Sequence, residues 1–141
     1  MKEKVYTTNY YDTFIEVSED CKAEQGRPPV SKSGGKSVAE RQYEIISRHP
    51  YRYTSDEVLF QVYADRQDLT PGEYDEARKS FFSKGQACFR ASPLPKQYGF
   101  GLHFDAEGKV ALYGRETDIY QQFLDNPAIK KVKGMRGSRK K

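Results

Sequence analysis

The spacing of apolar positions changes along the chain, and each change marks an element. Thr13-Phe14-Ile15-Glu16-Val17 is short, β-branched and aromatic, and it runs into the acidic break Ser18-Glu19-Asp20, which predicts a first strand. Residues 21–36 mix two prolines, three glycines and alternating charges without periodicity, and they read as a long surface loop. Ser37 and Glu40 form a capping-box pair. Val38, Gln42, Ile45, Ile46 and His49 then share one face and Pro50 stops the run, so the spacing predicts a helix over 38–48. Thr54 and Glu57 open a second box. Val58, Leu59, Val62, Tyr63 and Arg66 follow helical spacing; the compact apolar run also suits a strand at 58–64, but the cap favours helix. Thr70 as cap, Pro71 at the first helical position and Glu73 closing the box predict a third helix over 71–84. Tyr74, Ala77, Phe81 and Phe82 are its buried face, and Gly85 is a left-handed stop.

Beyond Gly85 the period becomes two. QACFRA, residues 86–91, reads as a strand, the Ser-Pro-Leu-Pro segment breaks it, and residues 98–114 read as a hairpin. A type I turn with Gly108 left-handed pairs Phe104 with Val110, His103 with Ala111, Leu102 with Leu112 and Gly101 with Tyr113. One face then carries Phe100, Leu102, Phe104, Val110 and Leu112 as core. The other carries Gly99, Gly101, His103, Ala111 and Tyr113. Thr117 caps a last helix with Ile119, Tyr120, Phe123 and Leu124 as its buried stripe, ended by Asp125-Asn126-Pro127. The remainder is at most a short edge strand followed by a disordered basic end. The pattern as a whole is α+β: residues 1–129 form a single domain, with an antiparallel sheet of three to five short strands and three or four amphipathic helices packed on one face. The 12–17 strand is expected beside the hairpin or the 86–91 strand, and residues 130–141 form the tail.

Composition alters this picture in two places. The 11 Tyr and 8 Phe, with no Trp, put much of the core mass into large rings. The net charge of +4 is uneven. Lys130, Lys131, Lys133, Arg136, Arg139, Lys140 and Lys141 are seven of 24 basic residues and no acid follows Asp125, so the preceding body has 17 basic residues against 20 acidic ones. Cys21 and Cys88 are far apart, and the first residues include no apolar stretch of leader length. Reduced thiols without a disulfide partner, and a cytoplasmic protein, are therefore expected. No window reaches the roughly 18 apolar residues of a membrane span.

Each motif has a plainer reading beside it. The Gly-rich run before Ser37 resembles a phosphate loop, but Val30 stands where that pattern needs Gly and no hydrophobic strand precedes it; a loop entering a capped helix explains it. Cys21, His49, Cys88 and His103 are scattered singly rather than at metal-ligand spacing, so neither metal nor cofactor is expected. His49, at a helix C-terminus on the apolar face, reads as a packing histidine. Cys88 and His103 would make a nucleophile and base if their strands were neighbours, against the plainer reading of a buried, inert thiol. The glycine side of the hairpin is the surface to weigh. Gly99 and Gly101 leave a trough bounded by His103 and Tyr113, with Arg90, Ser92 and Lys96 leading into it, unless a helix packs there. Lys130, Lys131, Lys133, Arg136 and Arg139 are the candidate phosphate contacts of the tail. Tyr51 and Tyr53 flank Arg52 in a segment that either stacks on rings or stitches two helices together.

The stretches TTNYYDTFIEVSEDC, HPYRYTSDEVLF and FFSKGQACFRASPLPKQYGFGLHFDAEGKVALYG resemble a family of small uncharacterised bacterial proteins catalogued as a domain of unknown function, a likeness covering nearly the whole chain. The resemblance implies a family and no activity. The order of helices, Gly-containing hairpin and last helix is similar, in layout only, to YjbR-like domains. Two functional expectations follow. One is a non-catalytic binding module that meets an anionic partner, such as nucleic acid, through hairpin and tail; the other is a small enzyme or ligand binder with a pocket within residues 90–113.

Overall fold

The computed structural model describes residues 5–30 and 35–136. Its centre is β1 (Thr13–Glu16), whose side chains alternate between two covered faces: Phe14 and Ile15 are both fully buried although they point to opposite sides of the sheet. On one edge β1 pairs antiparallel with β2 (Phe100–Phe104), which pairs antiparallel with β3 (Val110–Gly114) in the register given by the turn, Gly101 opposite Tyr113 and Phe104 opposite Val110. Gly108 adopts φ +81°, and the Asp105 carboxylate accepts from the Glu107 and Lys109 backbone N–H groups across the turn.

The other edge of β1 corrects the all-antiparallel expectation. Lys130–Lys133 form β4, parallel to β1, so the four-stranded sheet is mixed in the order β3-β2-β1-β4. The strand is therefore part of the domain. It forms because β1 has bare backbone groups on that side: Lys130 N–H donates to Asp12 C=O, Gly134 N–H donates to Glu16 C=O, and Val132 packs on the core. Exposed lysines at both ends of β4 discourage further edge pairing.

Three helices form at their expected places. α1 (Val38–Arg48) starts where Ser37 accepts from Glu40 N–H, and α2 (Ser55–Arg66) starts with a complete Thr54/Glu57 box, so 58–64 is helix rather than strand. The first turn of the third helix is a 3-10 turn at Pro71–Glu73, followed by α3 (Tyr74–Phe82). Gly85 is not its left-handed stop: the described glycines with positive φ are Gly99 and Gly108. Ser83 Oγ and Gln86 Nε2 instead donate to the Ser80 and Phe81 carbonyls of the last turn.

The 86–91 strand is absent. Phe89–Ala91 is a 3-10 turn that drives Phe89 into the core, and the prolines taken for breakers begin a helix, α4 (Pro93–Gln97), which Ser92 caps by accepting from Leu94 N–H. α5 (Asp118–Asp125) is capped by Thr117 as expected but lies on the opposite face from α1, α2 and α4, so helices cover both faces of the sheet. Tyr120 and Phe123 close on Phe14 and Val17, while Ile119, expected in this stripe, stays exposed. α3 packs outside the sheet, against α2, through Phe60, Ala64 and Phe82. The result is one α+β domain.

Candidate functional site

The hairpin surface is built from β2 upward. Gly101 has no room for a side chain, because a Cβ there would lie 2.5 Å from Phe14 and 2.7 Å from Tyr120. At Gly99, with φ +74°, a Cβ would meet the Gln25 carbonyl oxygen at 2.6 Å. The glycine trough is filled by α5 and by the 23–25 loop.

Two positions further along β2, His103 lies half-buried beside Phe123, its ring stacked at 4.2 Å and 17°. Its Nδ1 is 2.8 Å from the Tyr51 hydroxyl, which is 2.7 Å from the Tyr113 hydroxyl. Tyr51 reaches this position from the α1–α2 connection with a left-handed φ of 58°, unusual for an aromatic residue, pinned by its N–H to the Val110 carbonyl. Burial, then the bond to Tyr113, pushes the Tyr51 hydroxyl up, so it stays protonated. Burial pulls His103 below its ordinary 6.5 against the opposing charges of Asp105 and Asp12. The row is a neutral imidazole at one end of two linked phenols, with Tyr51 in the middle.

This gives a pH dependence of defined sign. The unfolded chain takes up the His103 proton before the folded one does, so stability is full above 6.5 and declines as pH falls from there toward the lower folded value. Urea midpoints measured at about pH 7.5 and about pH 5.5 should differ less in His103→Gln than in the parent. Equal differences would remove His103 from the account.

The other expected members of this surface do not converge on His103. Arg90 Nε donates to the Lys133 carbonyl and Ser92 Oγ to Gln42 Oε1, both as ties between elements, and Lys96 sits in the last turn of α4. Cys88 turns to the Tyr10 hydroxyl at 3.1 Å, among α1 and α2 side chains and across the sheet from the Phe123 side where His103 lies. No nucleophile–base pair forms between them. Burial, then the Cys88 contact, pushes Tyr10 up to about 12. Both thiols are free.

In the tail, Lys133 and Arg136 both bond to Glu19, Lys131 Nζ donates to the Asn126 carbonyl and Lys130 is exposed; Arg139 lies outside the described residues. The Lys133 hydrogen bond, then that of Arg136, holds the Glu19 carboxyl below its ordinary range. Among the described residues no group of three or more His, Cys, Asp or Glu is placed to hold a metal ion, and no helix is long and apolar enough to cross a membrane.

A concavity with rings and charges lies elsewhere. α1, α2 and α3 diverge around a cleft of about 540 Å³, within the range of small-molecule sites. Tyr53, Phe60 and Tyr74 supply rings, with Tyr74 edge-on to Phe60 at 5.8 Å. Arg41, Glu44 and Arg48 of α1 supply charge, and Arg78 of α3 lies over the Phe60 and Phe82 rings. His49, expected to pack inward, is exposed at the C-cap of α1, where its ring meets Tyr53 edge-on and lines the cleft. Sequence reasoning missed this site. Its signal was Arg41, Glu44 and Arg48 at helical spacing beside the apolar stripe, a pattern shared with any solvated helix face.

The architecture defines a small α+β domain with an open cleft between helices α1, α2 and α3. The chain matches a family of unknown function, DUF6157, over residues 5–140, and it belongs to that family. No curated protein and no solved structure matches it, so the layout likeness to YjbR-like domains gains no support.

Proposed function

We propose that this domain is a non-catalytic binding module whose ligand is a small organic molecule held in the α1–α2–α3 cleft. The observation that carries the reading is the cleft itself: about 540 Å³, walled by Tyr53, Phe60 and Tyr74, with polar groups on every side. Rings offer apolar area at small entropic cost, and the surrounding polar groups fix orientation. The hairpin supports a ligand less well, because its glycine side is filled. The tail supports a nucleic-acid partner less well, because Glu19 already engages Lys133 and Arg136.

A thermal-shift screen of the full chain, with hits mapped by amide chemical shifts, tests the reading. Hits should move amides within 41–49, 57–65 and 74–78, and Gln61→Trp, which places an indole in the cleft, should abolish their binding. Hits that survive in Gln61→Trp, or that move only the hairpin or the tail, would sink it.

A further inference from the structure

Resting on that reading, we infer that the cleft selects an anionic head group, a carboxylate or phosphate, on an aromatic body, and that Arg41 is the residue that reads it. Two observations point there independently.

The first is the state of the Arg41 side chain. Its guanidinium makes no hydrogen bond or ion pair among the described residues, and its Nε is buried without a partner. A guanidinium stays charged and presents a rigid fork of donors; in this half-exposed side chain the buried Nε lacks an acceptor, which an arriving anion supplies. Its neighbour one turn on does not serve. Glu44 is taken up by the other cations: Lys36 Nζ is 2.8 Å from Oε2 and 2.7 Å from Oε1, the latter at ion-pair distance but outside hydrogen-bond alignment, and Arg48 lies 3.3 Å from Oε2. The Lys36 bond, helped by the charges of Arg48 and Arg41, holds the Glu44 carboxyl below its ordinary range and keeps it ionised.

The second is the charge balance of that wall. On the α1 side the lining carries Lys36, Arg41 and Arg48 against the single carboxylate of Glu44, leaving an excess of positive charge. Across the cleft the lining carries Glu57, Asp65 and Asp75 with Arg78, so the positive excess is confined to the α1 side; Glu57 accepts from Thr54 N–H and Asp65 from Gln61. An anion is therefore drawn to α1, with its body toward Tyr53, Phe60 and Tyr74. Arg78 is already seated on two rings, which leaves the head group to Arg41.

The test titrates the full chain with benzoate, phenyl phosphate and the neutral isostere benzamide, following cleft amides by NMR, in the parent, Arg41→Gln and Arg41→Lys. At least one anion should bind in the cleft more tightly than benzamide. Arg41→Gln should weaken that anion about tenfold or more while leaving benzamide unchanged, as expected for losing a charged hydrogen bond, and Arg41→Lys should fall between. The stronger of benzoate and phenyl phosphate tells which head group fits. If benzamide binds as well as the anions, or if Arg41→Gln changes neither, the anion inference is overturned while the cleft reading stands. If anions shift only tail amides, it is likewise overturned. If no probe moves the cleft amides at millimolar concentration while the screening hits still do, the inference alone fails; if those hits are absent too, both fail.

Discussion

Phe14→Ala is expected to lower the unfolding free energy by about 3–5 kcal/mol, the largest effect of any single truncation argued from this fold. Phe14 has no exposed surface and stands on the central strand, with Tyr120 edge-on at 5.0 Å and Phe123 stacked at 5.0 Å. Its ring also fills the space above Gly101. Removing it takes the floor from under α5 and leaves a cavity whose walls belong to a hydrogen-bonded sheet, which relaxes little. Urea denaturation of the parent and variant measures the difference. A loss below about 1 kcal/mol would mean that α5 does not seat on this face as described.

Gly101→Val should cost about 3 kcal/mol for the opposite reason, too much matter instead of too little. The atoms that an added Cβ would meet, at 2.5 Å and 2.7 Å, are ring carbons of Phe14 and Tyr120. Neither ring has room to yield: Phe14 is fully buried, and the Tyr120 hydroxyl, 2.8 Å from the Val17 N–H, holds its ring against the sheet. Gly85→Ala is the matched control, since nothing lies within 4 Å of its added carbon and its φ is not positive. It should leave stability within about 0.5 kcal/mol. Near-equal denaturation midpoints for Gly101→Val and Gly85→Ala would show that the glycine face is open after all.

The same residues explain what the sequence could tell. The hairpin register was legible because Gly108 and the Asp105 turn leave one pairing that puts Phe104 and Leu102 inward, and the helix starts were legible because Ser37, Thr54 and Thr70 announce them. Periodicity showed that α5 has an apolar stripe, but a stripe does not name the surface it meets, so the burial of Gly101 was not readable. QACFRA alternates like a strand, yet Phe89 reaches the core from a single 3-10 turn. KKVK has one apolar side chain and becomes β4 only because β1 offers an unpaired edge. The cleft was hidden for a related reason. Arg41, His49, Tyr53 and Phe60 each have an ordinary place in their own helix or connection, and only the divergence of three helices makes them neighbours.

The parallel pairing of β4 with β1 also bears on how the chain reaches this state. Thr13 is matched with Lys130, so the outer edge of the central strand waits for a segment made more than a hundred residues later. The hairpin, joined by a short turn, closes early; the β1–β4 ladder must overcome the entropy of closing the long loop between Thr13 and Lys130 and should form late. Until it does, the Thr13–Glu16 backbone is an open template beside an apolar face, and it is in this interval of biogenesis that the chain is most exposed to self-association.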